Sequence, residues 1–460
     1  MKNTMKKMTN ILRILVVVGA AVVAATVAPQ PVHTQSAGQI GNPVTVPGID
    51  KPVRVVRGRF TSNVSLTNDT YWVLRGAVFI GAGDGTSSAT LTIQAGTRVI
   101  GETATRAALV IERGARILAN GTAAAPIVMT SDQPVGSRFR GDWGGLIING
   151  RAPLNLPGGL GIGEGQTGIY GGTDPNDNSG ILRYVRVEFA GIEFSPDNEL
   201  NGIAFQGVGR GTIVENIQVS WNKDDGIEMF GGSVDIKRVV LTNIGDDSID
   251  WTFGWNGRVQ FAVVQQRADD TDQGIEADNN GNNHNLLPRS APTLYNVTLV
   301  GDPTSEFGPE STNGMRLRVG TAGIIRNWIV TGFKQQGIDI RDASTTPGIA
   351  SGIFSVTHGI LWQNGRGPAG TNASVNWATN ATTVPMRTHA GTTVTEADPM
   401  LVAAFNRTAP DWRPLAGSPA LTRTPAVPPN DGFFETANFI GALGPDLAAD
   451  WTRGWTFYGR

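Results

Sequence analysis

Down residues 202 to 340 one tripeptide recurs: a small residue, a long apolar residue and then, in most copies, a charge. Gly202-Ile203-Ala204 is followed by Gly226-Ile227-Glu228, Ser248-Ile249-Asp250, Gly274-Ile275-Glu276, Gly314-Met315-Arg316 and Gly337-Ile338-Asp339. The register is strict between the second and third copies. Asn222-Lys223-Asp224-Asp225-Gly226-Ile227-Glu228 superposes on Ile244-Gly245-Asp246-Asp247-Ser248-Ile249-Asp250 with an offset of 22 residues. A repeat of this length signals stacked units. Each unit holds a second apolar run, such as Asn216-Ile217-Gln218-Val219, Arg238-Val239-Val240-Leu241 or Asn296-Val297-Thr298-Leu299. These runs are short, β-branched and bounded by Gly, Asn and Asp, which predicts strands and turns. Short strands with no helix between them, repeated every coil, give an all-β solenoid, a parallel β-helix in which each coil pairs with the next.

Alternation along a strand assigns the faces. Ile203, Ile227, Ile249, Ile275, Met315 and Ile338 are predicted to stack inside. Glu228, Asp250, Glu276, Arg316 and Asp339 then form one outward row, and Phe230, Thr252, Asp278, Arg318 and Arg341 a second beside it. Trp251 alternates inward, to the core.

Residues 1–28 place Lys2, Lys6, Lys7 and Arg13 before an apolar run from Ile14 to Ala28, the pattern of a secretory signal peptide. Cleavage is expected between Ala25 and Ala37. Residues 38–84 carry strand-like but unrepetitive sequence and are expected to cap the N-terminal end, which would otherwise expose interior and unpaired edge. The coils are expected over residues 85–365, interrupted by a Gly- and Asp-rich insertion at 151–180 that shows no strand pattern and is long enough to carry function. Residues 366–460 read as an irregular closing coil followed by an aromatic C-terminal cap.

Composition agrees with a turn-dense β protein: 60 of 460 residues are Gly and only 17% are charged, against usual shares of ~7% and ~25%. The formal net charge is −2, and −6 once the four basic leader residues are removed. An acidic product argues against nucleic acid or an anionic membrane as partner. No later segment is apolar enough to span a bilayer. With no Cys, disulfides, thiolate metal sites and a Cys nucleophile are excluded. The expected location is the periplasm, the cell surface or the medium.

Three resemblances add to this reading. Gly141-Asp142-Trp143-Gly144-Gly145-Leu146, Gly171-Gly172-Thr173-Asp174-Pro175-Asn176-Asp177-Asn178 and Trp451-Thr452-Arg453-Gly454-Trp455-Thr456 resemble a family of secreted bacterial surface proteins. Asp398-Pro399, Asp411-Trp412-Arg413-Pro414 and Gly417-Ser418-Pro419-Ala420 are similar to the closing coil of right-handed β-helix proteins of the pectin-lyase type. Finally, Asn222 to Ile227, Gly245 to Ile249 and Asn313 to Arg318 resemble the catalytic series of polygalacturonases. That likeness implies Asp225, Asp246 and Asp247 as hydrolytic carboxylates, with Arg316 and Arg318 gripping an acidic sugar. Gln273 stands where that family has histidine, and Arg318 where it has lysine.

The chemistry open to these residues follows from their spacing. Coils ~4.8 Å apart put Asp225 and Asp247 close enough to raise one pKa or to share a cation, and paired carboxyls of this kind serve glycoside hydrolysis. Asp and Asn ladders in turns also satisfy backbone N–H groups, the alternative role. Glu228, Phe230, Asp250, Glu276, Arg316 and Arg318 together offer acids, an aromatic and guanidinium groups on one face, a candidate saccharide groove. Asp269, Asp270, Asp272 and Asp278 form hard-oxygen clusters suited to Ca²⁺. The four His show no metal-ligand spacing. The leading expectation is an exported, non-enzymatic surface β-helix that binds glycan or builds the cell envelope, with polysaccharide or cell-envelope glycan as its partner. A hydrolase or lyase acting on uronic glycans is the alternative.

Overall fold

The computed structural model describes residues 36–47, 49–195, 198–267, 269, 271–302, 312–366 and 374–460. The expected leader, residues 1–28, lies outside them. Twenty-four of the described strands join in one ladder system. Its pairings are parallel, apart from Gln39–Ile40, which lies antiparallel on Val53–Phe60. The chain is a parallel β-helix.

Three sheets share each coil. The first contains Ala108–Ile111, Leu146–Asn149, Ile203–Gln206, Ile227–Phe230, Ile249–Thr252, Ile275–Ala277, Asn313–Leu317 and Gln336–Ile340. The second and third are the two halves of longer strands such as Ile213–Ser220, Asp235–Thr242, Arg258–Gln265, Thr293–Val300 and Gly323–Thr331. Each long strand bends once, at Tyr184, Asn216, Arg238, Phe261, Asn296, Asn327 and His358 in successive coils, with φ between 47° and 62°. That left-handed conformation is costly for most L-residues and least so for Asn, which accounts for three Asn in the column.

The predicted interior stack forms in register. Ile203 pairs with Ile227, Ile227 with Ile249, Ile249 with Ile275, Ile275 with Met315 and Met315 with Ile338. All six are fully buried, each contributing about 1.5–3 kcal/mol by removal from water. The small residue of the triplet is a packing requirement: a Cβ on Gly202 would lie 2.7 Å from the Gly226 carbonyl oxygen. Trp251 joins the core, its Nε1 donating to Thr321 Oγ1 at 3.0 Å.

Several segments differ from the expectation. Parallel pairing already begins where Val53–Phe60 meets Tyr71–Ile80, so much of 38–84 is coil; these rungs lack the triplet that marks later ones. The insertion at 151–180 contains an antiparallel hairpin, Gly161–Gly163 with Gly168–Tyr170. Within 366–430 a helix, Thr383–Ala390, buries Met386 and Ala390 against the last coils, with Ile340 N–H donating to Thr383 Oγ1 at 2.9 Å. The aromatic tail does not cap an end. It lies along the flank of the third sheet, over the outward row Arg186, Gln218, Val240, Val263, Thr298 and Ile329. Gln218 donates to Phe457 O, Gln260 to Glu435 O, and Asn296 to Phe439 O and Gly441 O. No helix among the described residues is long and apolar enough to cross a membrane.

Candidate functional site

The outward row of the first sheet changes character along the axis. In pairing order it reads Phe79, Val110, Ile147, Ala204, Glu228, Asp250, Glu276, Arg316 and Asp339. Its apolar part is covered by Leu154 and Tyr170 of the insertion and by Ile192 and Leu200. Where the row turns acidic the cover stands off, leaving a cavity of about 360 Å³.

One wall of the cavity is the sheet itself, with Glu228, Asp250, Glu276, Asp278, Phe230 and Thr252. The opposite wall is the insertion hairpin, with Ile162, Glu164 and Tyr170. Aromatic rings line one side: Tyr170 and Phe230 have centroids 6.2 Å apart, Phe230 and Phe253 6.3 Å. Gln206, one rung before Phe230, is only 1% exposed, and its Oε1 receives no hydrogen bond. Asp250 Oδ1 is likewise buried without a donor.

Burial and mutual repulsion raise the pKa values of these carboxyls. Desolvation pushes Glu164 up to about 7, with Glu199 adding repulsion, and raises Glu276 to about 7 although the nearby Arg318 opposes it. Glu228 and Asp250 are raised well above the usual range, by burial first and by each other or by Glu276 next. The apolar cover sets the low-dielectric surroundings on which this rests.

Asp225 and Asp247 do not line the cavity but stand beside it, in the turn before the first sheet, with carboxylate oxygens within 4.8 Å of those of Glu228, Asp250 and Glu276. Asp225 Oδ1 accepts the Asp247 backbone N–H at 3.0 Å, Asp247 Oδ1 accepts that of Gln273, and Gln273 Oε1 accepts that of Asn313 at 3.1 Å. The three side chains form one ladder along the axis. Both aspartates are about 5% exposed, and burial raises them well above the carboxylate range. Asp246, the third residue of the hydrolytic series, is exposed beside them, and Asp224, which sequence reasoning gave no role, rises to about 7 by burial.

The arginines do not project freely as saccharide grips. Arg318 Nε donates to Asp278 at 2.8 Å and its Nη2 to Glu276, while Arg316 lies 3.8 Å from Asp339. Arg318 gives the larger compensation of the acidic row at Glu276, and Arg316 adds a smaller one.

The hard-oxygen cluster expected at Asp269, Asp270, Asp272 and Asp278 is not assembled as a unit. Asp269 pairs with Arg140 and Arg267, Asp278 with Arg318, and Asp270 lies outside the described residues. Asp272 instead approaches Asp246 and Asp247. Four carboxylate triads, with ligand oxygens all within 4.8 Å of one another, run through the column: Asp224, Asp225 and Asp246; Asp225, Glu228 and Asp250; Asp246, Asp247 and Asp272; Asp247, Asp250 and Glu276. Their oxygens are the ones that could hold a hard cation.

Glu164, Tyr170 and Gln206 were not singled out from sequence. The only signal for the first two was the Gly-rich insertion itself. Gln206 sits in a rung whose triplet ends in alanine.

Fold and cavity together define a parallel β-helix with a laterally roofed acidic site. A family model described as a pectate-lyase-like beta helix domain matches residues 58–413, and the chain belongs to that family. Neither the curated proteins nor the solved structures include a match.

Proposed function

We propose that the chain is an exported β-helix protein whose roofed cavity binds a glycan of the cell envelope or the surroundings. One observation carries this: the cavity sets the rings of Tyr170, Phe230 and Phe253 beside a row of oxygen acceptors. Sugar rings present C–H faces to aromatics and hydroxyl donors to such oxygens. The family's name, which likens it to pectate lyases, supports a glycan-related role, and the basic-then-apolar N-terminus supports export. The test is calorimetric titration of the purified chain with a panel of envelope and plant oligosaccharides. Binding that Phe230→Ala weakens at least tenfold supports the reading, and no binding across the panel overturns it.

A second reading, a polysaccharide hydrolase or lyase, is favoured by one feature. Glu164 and Glu276, both pushed to about 7, line one cavity with other carboxyls, as acid–base cleavage of a glycosidic bond requires. New reducing ends or unsaturated products released from a uronic polymer, and lost in Glu276→Gln, would replace the binding reading with the enzymatic one.

A further inference from the structure

We infer that the cavity selects an amine-bearing sugar, a hexosamine with a free ammonium group, over neutral and uronic residues; this rests on the glycan-binding reading above. Five carboxyls line the cavity, Glu164, Glu228, Asp250, Glu276 and Asp278, against a single guanidinium, Arg318. Arg318 is already engaged by Glu276 and Asp278. A uronate carboxylate would therefore meet no cation turned toward it among the described lining residues and would make the surrounding acids harder still to ionise, whereas an ammonium group favours their ionised form and pairs with it.

A second observation points to a donor-rich ligand. Gln206 is almost wholly buried at the cavity wall, and its Oε1 has no donor. Asp250 Oδ1 is in the same state on the next face of the site. Buried acceptors of this kind are costly unless a ligand supplies hydrogen. An ammonium group supplies three N–H donors from one atom and a positive charge with them. A bare divalent cation would also meet the oxygens, but would leave Phe230, Tyr170 and Phe253 facing nothing, whereas a pyranose ring carries the apolar face that those rings match. An acetylated amine keeps the ring and loses both the charge and two of the donors.

The experiment is a calorimetric titration of the full chain with three short oligomers of equal length: β-1,4-linked glucosamine, its N-acetylated form and an oligogalacturonate, with calcium chloride alone as a fourth arm. The inference expects the free amine to bind at least tenfold more tightly than the acetylated oligomer, and the oligogalacturonate to bind most weakly. Glu228→Gln and Gln206→Leu should each remove most of that preference, with circular dichroism confirming the fold of both; either variant alone decides if the other misfolds. Equal or tighter binding of the acetylated or uronic oligomer overturns the amine selectivity and leaves glycan binding standing. Absence of binding by every oligomer overturns both. Calcium that binds alone and blocks the amine makes the cavity a metal site and overturns the inference.

Discussion

The carboxylate of Asp225 accepts the backbone N–H of Asp247 at 3.0 Å, one coil along. The same bond is repeated from Asp247 to Gln273 and from Gln273 to Asn313. A carboxamide serves in this ladder as well as a carboxyl does, so the negative charge of the two aspartates is not what holds the turn. Asp225→Asn and Asp247→Asn should therefore keep the fold, with a melting temperature equal to or above that of the parent at pH 8. Asp225→Ala strands a buried N–H and should cost about 1–3 kcal/mol. Urea titration of the three variants separates the cases; an Asn variant as damaged as the Ala variant would mean that the charge itself is structural.

The buried carboxyls of the cavity and the turn beside it give stability a definite pH slope. Unfolded Asp and Glu lose their protons near pH 4, while folded Glu164, Asp224 and Glu276 keep theirs to about 7. Between those values the folded state binds more protons, so its stability is full below the unfolded pKa and declines as pH rises through the folded one. Melting temperature should fall from pH 5 to pH 8. A rise across that interval contradicts the burial of these groups as protonated acids.

Ile249 sits mid-stack between Ile227 and Ile275. Ile249→Ala should destabilise by about 2–5 kcal/mol through the cavity it leaves. Ile249→Asp should cost more, because it buries a charge with no partner. Chemical denaturation monitored by tryptophan fluorescence reports both, Trp251 being two residues away; a neutral Asp variant would place position 249 outside the solenoid wall.

Trp455 is 2% exposed, packs edge-on against Tyr184 at 5.6 Å and belongs to the cluster with Val240 and Val263. Trp455→Ala should cost about 3–5 kcal/mol. Deletion of residues 432–460 should expose that apolar flank and leave Gln218, Gln260 and Asn296 without their carbonyl partners. Dye binding and concentration-dependent aggregation measure the exposure, and an unchanged melting curve after deletion would refute a structural part for the tail.

The coil register and both outward rows were legible in the sequence because each rung states its own phase: small residue, interior residue, outward residue. Alternation then carried Glu228, Asp250 and Glu276 to one face without further information. The roof of the cavity was not legible. Glu164 and Tyr170 lie in a segment with no period, and their position depends on a hairpin packing over Ile147 and Ala204, a contact between parts of the chain with no shared pattern. Arg318 was read correctly as outward, but its engagement with Glu276 and Asp278 depends on side-chain reach that periodicity does not encode. The flanking course of the tail was hidden for a related reason. Its aromatics match an apolar strip on the third sheet, where Val240 and Val263 look no different from interior valines until the bend at Arg238 and Phe261 is placed.

A stack of coils can in principle wind and unwind one turn at a time, since each turn touches only its neighbours. The tail removes that freedom. Phe457 is bonded to Gln218 across 239 residues and Arg460 to Arg138 across 322, so residues made late fasten coils made much earlier. Winding can proceed as the chain emerges, yet the flank stays open until the tail has been made, and the molecule should then melt as one cooperative body in place of a fraying array.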